Sequence, residues 1–398
     1  MAQYPSYKDS GFEWIGQIPS HWGLLKSKFL WRESFDTSAT GTEDLLSVSQ
    51  YDGITPANGS RSESLVGYKV VEENNLVINI MLAWMGGLGV SAFNGLVSPA
   101  YCVYKLLGDN NPKYMHYLYK TPMYLAEFAR HSTGVIPSRW RMYTDDFGQV
   151  LTLIPPRKEQ DAMVAYLDTV TAKIDEAIAQ QQRMIDLLNE RKRIIIHSAV
   201  TKGLNPAAQL RDSGVSWIGQ IPKHWVVKRL KHIARLRSGD TINSDLFTEE
   251  GYPVYGGNGF RGYTDSYTNE GDFVLIGRQG ALCGNVNYAH GRFFASEHAV
   301  VVYPYSTQNV IWLGEVIRDS DLNQYSQSAA QPGLAVSTIG NIYYPYPPDD
   351  EREAIASEIK EKSSVLNDNI IQAESMISLL QERKQIIIND VVTGKVRI

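Results

Sequence analysis

The sequence predicts an α+β protein in which two globular variable domains are separated by two long antiparallel helices. The helices form an intramolecular coiled coil, and the whole is an internal repeat with an approximate two-fold axis and the variable domains at opposite ends. Three observations predict it. Asp9 to Trp22 (DSGFEWIGQIPSHW) returns at Asp212 to Trp225 (DSGVSWIGQIPKHW), identical at eleven of fourteen positions with an offset of 203. A second set of repeats has an offset of 192: Pro155 to Glu159 (PPRKE) with Pro347 to Glu351 (PPDDE), and Leu187 to Ile196 (LLNERKRIII) with Leu379 to Ile388 (LLQERKQIII). Between them lie two blocks, 23–153 and 226–345, that hardly resemble each other. A framework written twice around divergent inserts reads as one architecture holding two specificities.

The elements follow in order. Residues 1–22 are the first copy of the repeated motif, 23–153 the first variable domain and 154–203 the central helix. Residues 204–225 are the second copy of the motif, 226–345 the second variable domain and 346–398 the C-terminal helix. The fall in offset from 203 to 192 makes the first block 11 residues longer than the second.

From Gln160 to Ala199 the apolar residues Leu167, Val170, Ile174, Ala177, Met184, Leu188 and Ile195 alternate three and four apart. This is a heptad stripe, interrupted by Gln181 and Arg191 and widened by Ile178 and Ile185. Ile355, Ile359, Leu366, Met376, Leu380 and Ile387 play the same part in the second copy. Each helix opens after a Pro-Pro pair, which suits a sharp start, and ends near Gly203 or Gly394. A helix of this length rises about 60 Å, and neither could bury its stripe alone. Pairing one with the other is the economical solution; a separate dimerisation stalk in each half is the other.

The blocks read as mixed. Leu76 to Ile80, Tyr101 to Leu106, Phe273 to Ile276 and Ala299 to Tyr303 predict buried strands. Tyr114 to His131, interrupted at Pro122, and Asn309 to Gln324 predict helices. ENNLVI at 73–78 is faintly echoed by EGDFVL at 270–275.

Composition narrows the function classes. Hydrophobic residues make up 43% and charged residues 20%, ordinary for a globular protein with more than one core. Tyr (23) and Trp (8) are plentiful, and both serve interfaces with an apolar body and a polar tip. The two cysteines, Cys102 and Cys283, exclude a disulfide framework and a four-Cys zinc site, and predict two buried thiols in a reducing compartment. Met1 to Lys8 has no signal-peptide core, and 76–90 is too short to span a bilayer, so a cytoplasmic protein without a membrane segment is expected. The net charge of -5 argues against a broadly basic DNA-binding surface. The run from Lys223 to Arg237 nevertheless carries six Lys and Arg residues and no acid, a basic face at the entry to the second domain.

Catalytic patterns are missing. There is no Asn-Pro-Pro-aromatic motif and no Gly-x-x-x-x-Gly-Lys phosphate loop. Gly87-Leu-Gly89 and Gly257-Asn-Gly259 fit the spacing of a dinucleotide fingerprint, but no helix follows either, so both read as tight turns. The acids of 347–351 suit a helix N-terminus. His21 and His224, each beside Trp, read as packing and hydrogen-bonding residues, because no other metal ligand recurs at matching spacing.

The combination of DSGxxWIGQIPxHW at 9–22 and 212–225, PPxxE at 155 and 347, LLxERK in both helices and the Val-Thr ends resembles the specificity subunit of type I restriction–modification systems. The resemblance runs the length of the chain. It implies a non-catalytic subunit of an adenine-specific DNA methyltransferase and restriction complex. Each variable domain would be a target-recognition domain reading one half of a bipartite site in double-stranded DNA. The helices would set the spacing and dock two methyltransferase subunits, which would hold the S-adenosylmethionine; this chain would bind no cofactor and no metal. Motor–nuclease subunits would join for cleavage. Leu188, Arg191 and Lys192, with Leu380, Arg383 and Lys384, are the candidate docking residues. The other reading is a coiled-coil adaptor whose domains bind protein or glycan.

Base readout favours Arg or Lys on guanine and Asn or Gln on adenine. Candidate readers therefore come from polar turns: Arg139 and Arg141 flanking Trp140, with Tyr68 and Lys69, in the first block. In the second they are Arg261, Arg278 and Gln279, with Asn258 and Tyr263.

Overall fold

The computed structural model describes residues 2–50, 53–57, 64–136, 139–280, 282–306, 309–326 and 333–398. The chain forms two units, the first from Met1–Gln181 with Ser375–Ile398 and the second from Gln182–Glu374. The helices Arg157–Lys202 and Asp349–Val392 are each continuous and each contribute to both units.

The repeated motif folds identically in each unit. Tyr7–Asp9 pairs antiparallel with Gln17–Pro19, Tyr7 opposite Pro19; Leu210–Asp212 pairs with Gln220–Pro222, Leu210 opposite Pro222. The hairpin sends Ile18 and Ile221 into the cores and ends on a buried Trp, Trp22 or Trp225. The glutamate of PPxxE meets that Trp from the first turn of a long helix. Glu159 accepts from Trp22 Nε1 (3.1 Å) and lies 2.6 Å from His21 Nε2; Tyr4 also donates to it (3.2 Å). Glu351 accepts from Trp225 Nε1 (2.9 Å) and lies 2.5 Å from His224 Nε2. The two repeat families, at offsets of 203 and 192, are therefore the two halves of one staple. Because a buried indole N–H costs free energy when unpaired, the carboxylate belongs to the fold as much as the Trp does. The two histidines take the hydrogen-bonding role expected of them.

The long helices start where Pro156 and Pro348 supply a carbonyl to the first turn, accepting from Gln160 N (3.1 Å) and Arg352 N (3.0 Å). They stop at Gly203 (φ +73) and Gly394 (φ +76), a left-handed conformation natural to glycine. Space demands glycine too, since a Cβ would sit 3.0 Å from the Trp225 ring at Gly203 and 2.9 Å from the Trp22 ring at Gly394.

Each variable domain is built on a four-stranded antiparallel sheet of the same order. In the first unit it runs Trp31–Ser34, Tyr101–Leu106, Leu76–Asn79, Leu88–Val90; in the second Ala234–Ser238, Ala299–Pro304, Phe273–Gly277, Val286–Ala289. The predicted strands are thus central strands of each sheet, and Leu76, Val77, Val274 and Leu275 are buried. A short ladder closes each domain, Gly23–Lys26 with Leu151–Ile154 and Val226–Arg229 with Tyr343–Tyr346. The predicted helix 114–131 is two helices, Pro112–Tyr119 and Pro122–His131, split where Pro122 opens the second. Its counterpart in the second unit is Val310–Asp319, followed by a 3-10 turn at Leu322–Tyr325. Asn111 and Asn309 cap these helices, and their side-chain amides bond to Asp161 (2.7 Å) and Glu353 (2.8 Å) of the long helices. Cys283 is buried as expected; Cys102 is only half-buried, its thiol pushed to a higher pKa by what burial it has.

The two domains fill one shared position differently. The aligned strands place Gly89 opposite Val77 and Tyr288 opposite Val274. Over Gly89 lies His116, whose Nδ1 accepts from Val90 N (3.1 Å). Over Tyr288 lies Gly314, where a Cβ would meet the phenol oxygen at 2.3 Å. A large residue on the helix pairs with glycine on the strand in one unit, and the reverse holds in the other.

The helix seams correct the heptad count. Leu167, Ile174, Ile355, Ile359 and Leu366 are buried as predicted, but Met184 and Met376 are half-exposed, while Ile185, Ala373 and Ile388 are buried. A straight α-helix turns every 3.6 residues, so a strict seven-residue count drifts off the buried face within a few turns. In the second unit Lys192 Nζ bonds Asn367 Oδ1 (2.9 Å), and in the first Lys384 Nζ bonds Asp175 (2.6 and 2.7 Å). Both partners of these bonds are related by the offset of 192. In the second unit the helices run antiparallel, since Lys192 meets Asn367 while Ala199 and Val200 share a core with Ile355 and Ile359.

Candidate nucleic-acid interface

In each domain two loops meet beyond the central strand of the sheet. In the first, the chain leaves Leu76–Asn79 into a 3-10 turn at Ala83–Met85 that ends at Gly86 (φ +87). Ala83 is buried and pins the turn, and Lys120 Nζ bonds Gly86 O (2.8 Å) and Gln50 O (2.9 Å). The second loop is a hairpin in which Thr133 and Arg141 exchange both backbone hydrogen bonds (2.9 Å each). Met142 N then donates to Ile80 O (3.0 Å) and joins the two loops. In the second domain Leu334 N donates to Arg278 O (2.9 Å) at the corresponding place, offset from Met142 by 192.

The sequence-derived candidates divide between these loops and their surroundings. Trp140 lies edge-on to Trp84, ring centres 5.3 Å apart, and Trp84 Nε1 donates to Met81 O (3.2 Å). Arg139 is exposed beside it, whereas Arg141 turns back, its Nη1 donating to Trp140 O (2.8 Å). Tyr68 and Lys69 are not on this loop pair. They are half-buried at another strand, and Lys69 is ion-paired with Glu33 at 3.5 Å, both nearly covered.

In the second domain three candidates converge. Asn258, Arg261 and Gln279, with Phe260 and His298, line an open recess of 470 Å³. Asn258 accepts from Asn285 Nδ2 (3.0 Å), and Arg261 lies over the Phe247 ring (5.7 Å). Tyr263 is exposed and packs edge-on to Phe260 at 5.0 Å. Arg278 points elsewhere: its Nη1 donates to Ser238 Oγ (2.9 Å). The hairpin turn at Gly257 presses on the end of the central strand, since a Cβ on Gly277 would lie 2.0 Å from Gly257 O. Close backbone approach explains these glycines; in both glycine patterns a strand follows, Leu88–Val90 and Gly259–Thr264, and no helix.

Cations of the basic run in the second unit stack on tyrosines. Lys228 lies over Tyr346 (3.9 Å), Arg229 over Tyr343 (4.9 Å) and Arg235 over Tyr303 (4.9 Å). Each cation gains from the aromatic face while its charge stays near the surface. Sequence reasoning found the charges; the tyrosine platform depends on register, Lys228 opposite Tyr344 and Arg229 opposite Tyr343.

On the helices Leu188 and Leu380 are half-buried, and Lys192 and Lys384 bond across the pair. Arg191 and Arg383 are exposed. They lie between residues that sequence reasoning passed over: Leu187 and Ile194 (70% and 58% exposed) in the second unit, and Leu379 and Ile386 (59% and 52%) in the first. Leu187, Arg191 and Ile194 are spaced four and three apart and share a face, as do Leu379, Arg383 and Ile386. The signal was in the repeat, which preserves apolar residues at positions the seam does not use.

Among the described residues no group of three or more His, Cys, Asp or Glu is placed to hold a metal ion, and no helix is long and apolar enough to cross a membrane. What the geometry defines is a two-unit protein, one frame built twice with unlike loops. Known proteins share parts of this sequence and its fold. Residues 222–373 match the family model described as the type I restriction modification DNA specificity domain. Over 156 residues, 38% of this chain, it is 38% identical to the type I restriction enzyme EcoprrI specificity subunit of Escherichia coli; the match spans 39% of that relative's length. It is 23% identical over 285 residues to the MjaVIII specificity subunit of Methanocaldococcus jannaschii, 63% of each chain. The fold is shared with a chain in a solved assembly of a type I R-M system (TM-score 0.72, 13% identity, 95% of this chain and 99% of that one). It is also shared with the HsdS subunit of Thermoanaerobacter tengcongensis (TM-score 0.50, 14% identity, 98% and 100%). Over residues 222–373 the chain is thus similar to that specificity domain, and it spans about two fifths of the length of the Escherichia coli relative.

Proposed function

We propose that this chain is the DNA-specificity subunit of a type I restriction–modification complex, each variable domain reading one half of a bipartite site. The observation that carries this reading is the paired loops. Equivalent frames, stapled by Glu159 and Glu351, carry different side chains beyond the central strand. Two tethered domains add their free energies, so each needs only a few bases. The tyrosine-backed cations Lys228, Arg229 and Arg235 suit phosphates, which position a protein, while the recess of Asn258, Arg261 and Gln279 suits base edges, which specify sequence.

The exposed stripes Leu187–Arg191–Ile194 and Leu379–Arg383–Ile386 are identical in sequence and fit two copies of one partner, a methyltransferase subunit carrying the S-adenosylmethionine. Motor–nuclease subunits would join that assembly, in the cytoplasm where the genome lies. No catalytic step is assigned to this chain.

The test is to purify the chain with its methyltransferase partner, let the complex modify random duplexes and map the methylated adenines. A two-part consensus is expected, and exchange of 226–345 for the same block of a relative should change one half of it only. Modification without a two-part consensus, or changes in both halves, would sink the reading. Binding by the complex should also weaken steeply with salt.

A further inference from the structure

The loops beyond the central strand carry different side chains in the two domains. In the second domain Gln279, from the loop after the central strand, faces Asn258 and Arg261 of the neighbouring hairpin across a polar recess. In the first domain the side chains turned to solvent are Met81, Leu82 and Met85 on one loop and Val135 and Ile136 on the other. Val135 is 95% exposed. These residues are held outward by structure: Ala83 is buried beneath the first loop, Trp84 and Trp140 pack edge-on, and Thr133 pairs with Arg141. Water is a poor neighbour for five such side chains, so an exposed apolar cluster of this kind marks a binding surface.

Charge says what covers it. Neither 80–90 nor 132–143 contains an acid, and the second loop contributes Arg139 and Arg141. Apolar side chains on two acid-free loops, with Arg139 exposed beside them, suit a polyanion that also offers apolar groups. In the major groove one apolar group distinguishes base pairs, the 5-methyl of thymine. We propose that the first domain reads its half-site through the 5-methyl groups of thymines, contacted by Met81, Leu82, Met85, Val135 and Ile136. This rests on the DNA-specificity reading above and names the readout of one domain.

The experiment uses the full chain with its methyltransferase partner and the bipartite site mapped as above. The half-site of the second domain is the one altered by exchange of 226–345; the other belongs to the first. Duplexes are then made with deoxyuridine for each thymine in turn, which removes the methyl and leaves every hydrogen-bonding group. In the first half-site binding should weaken about fourfold for each contacted methyl, the worth of burying one such group. In a Val135→Ser, Met81→Gln variant the ratio of thymine to deoxyuridine affinity should fall toward one, a readout that loss of folded protein does not move. A first half-site made only of G·C pairs, or one indifferent to deoxyuridine, overturns the proposal and leaves the parent reading intact. So does enhanced fluorescence of 2-aminopurine beside an indifferent step, which would mean that the loops wedge between bases. Methylated sites with no two-part consensus would remove both.

Discussion

Glu159 and Glu351 each satisfy an indole N–H that is otherwise sealed inside a core, and each does so for its own unit alone. Glu351→Ala should therefore weaken the second unit by about 1–3 kcal/mol, the cost of an orphaned buried donor, and leave the first unchanged. Glu159→Ala should do the converse. Hydrogen exchange followed by mass spectrometry reads the two units separately; equal loss of protection in both would refute the assignment. His116 makes a second prediction at this scale. Burial, aided by the charges of Lys120 and Lys113, pushes its pKa down to about 4 from an ordinary value of 6.5. The folded pKa is the lower one, so the unfolded chain binds the extra proton. Stability from this site is fully present above about pH 6.5 and is lost as pH falls toward 4, by up to about 3 kcal/mol. His116→Gln should flatten that part of the pH–stability curve of the first unit; an unaltered slope would place the titration elsewhere. Residue identity was also where the sequence was least legible. Arg261, Asn258 and Gln279 were chosen for their hydrogen-bonding groups and do meet in one recess, but Lys69 is spent on Glu33 and Arg278 on Ser238. Met81 lies in an apolar stretch that reads as core, and only its exposure shows otherwise.

Helices and strands were more legible, because periodicity and punctuation are local. The Pro-Pro starts and Gly stops of the long helices and the central strands all stand where the sequence placed them. The seam did not, since Met184 and Met376 lie one position from the buried Ile185 and within a turn of the buried Ala373. The same shift exposes Leu187 and Leu379 in place of Leu188 and Leu380. Under the proposal above, exposed leucine and isoleucine at equivalent positions of two units are where two equivalent partners dock. Leu187→Glu with Ile194→Glu should leave the helix intact, since all four positions face solvent, and remove one methyltransferase subunit from the complex. Mass determination should show the stoichiometry fall from two subunits to one, and adding Leu379→Glu with Ile386→Glu should take it to none. Retention of both subunits by the four-fold variant would exclude these stripes as docking sites. The exchange of Gly89 and His116 for Tyr288 and Gly314 belongs to this scale as well. It shows why the two domains keep one fold with so little sequence in common: each changes volume on the strand and on the helix together.

At the scale of the molecule, the repeat is written out of phase with the units it builds. The first unit takes its helix end from residues 375–398 and its motif from the start of the chain, so the two are joined by contacts alone. Arg397 N donates to Ala2 O (2.9 Å), Tyr7 Oη donates to Gly394 O (3.2 Å), and Gly394 packs on Trp22. In the second unit the same passage, from Gly203 to the strand at Leu210, is covalent and takes six residues, 204–209. Between Gly394 and Tyr7, residues 395–398 and 1–6 together number ten. There is more than enough chain to close the gap. A permutant that joins 398 to 2 directly and opens between 205 and 208 should therefore fold, keep both staples and support methylation of the same bipartite site. Its two halves would simply exchange which one is closed by contacts. The matching truncation argues from the other side: Ile388, Val391 and Val392 belong to the core of the first unit, together with Trp22 and Tyr114. Removing 386–398 should expose that core and unfold the first unit, while the second, which takes nothing from those residues, keeps its hydrogen-exchange protection. Loss of both units on truncation, or a permutant that modifies a different sequence, would show that the covalent order of the halves matters to recognition. The duplicated staple, seam bond and exposed stripe all say that it does not.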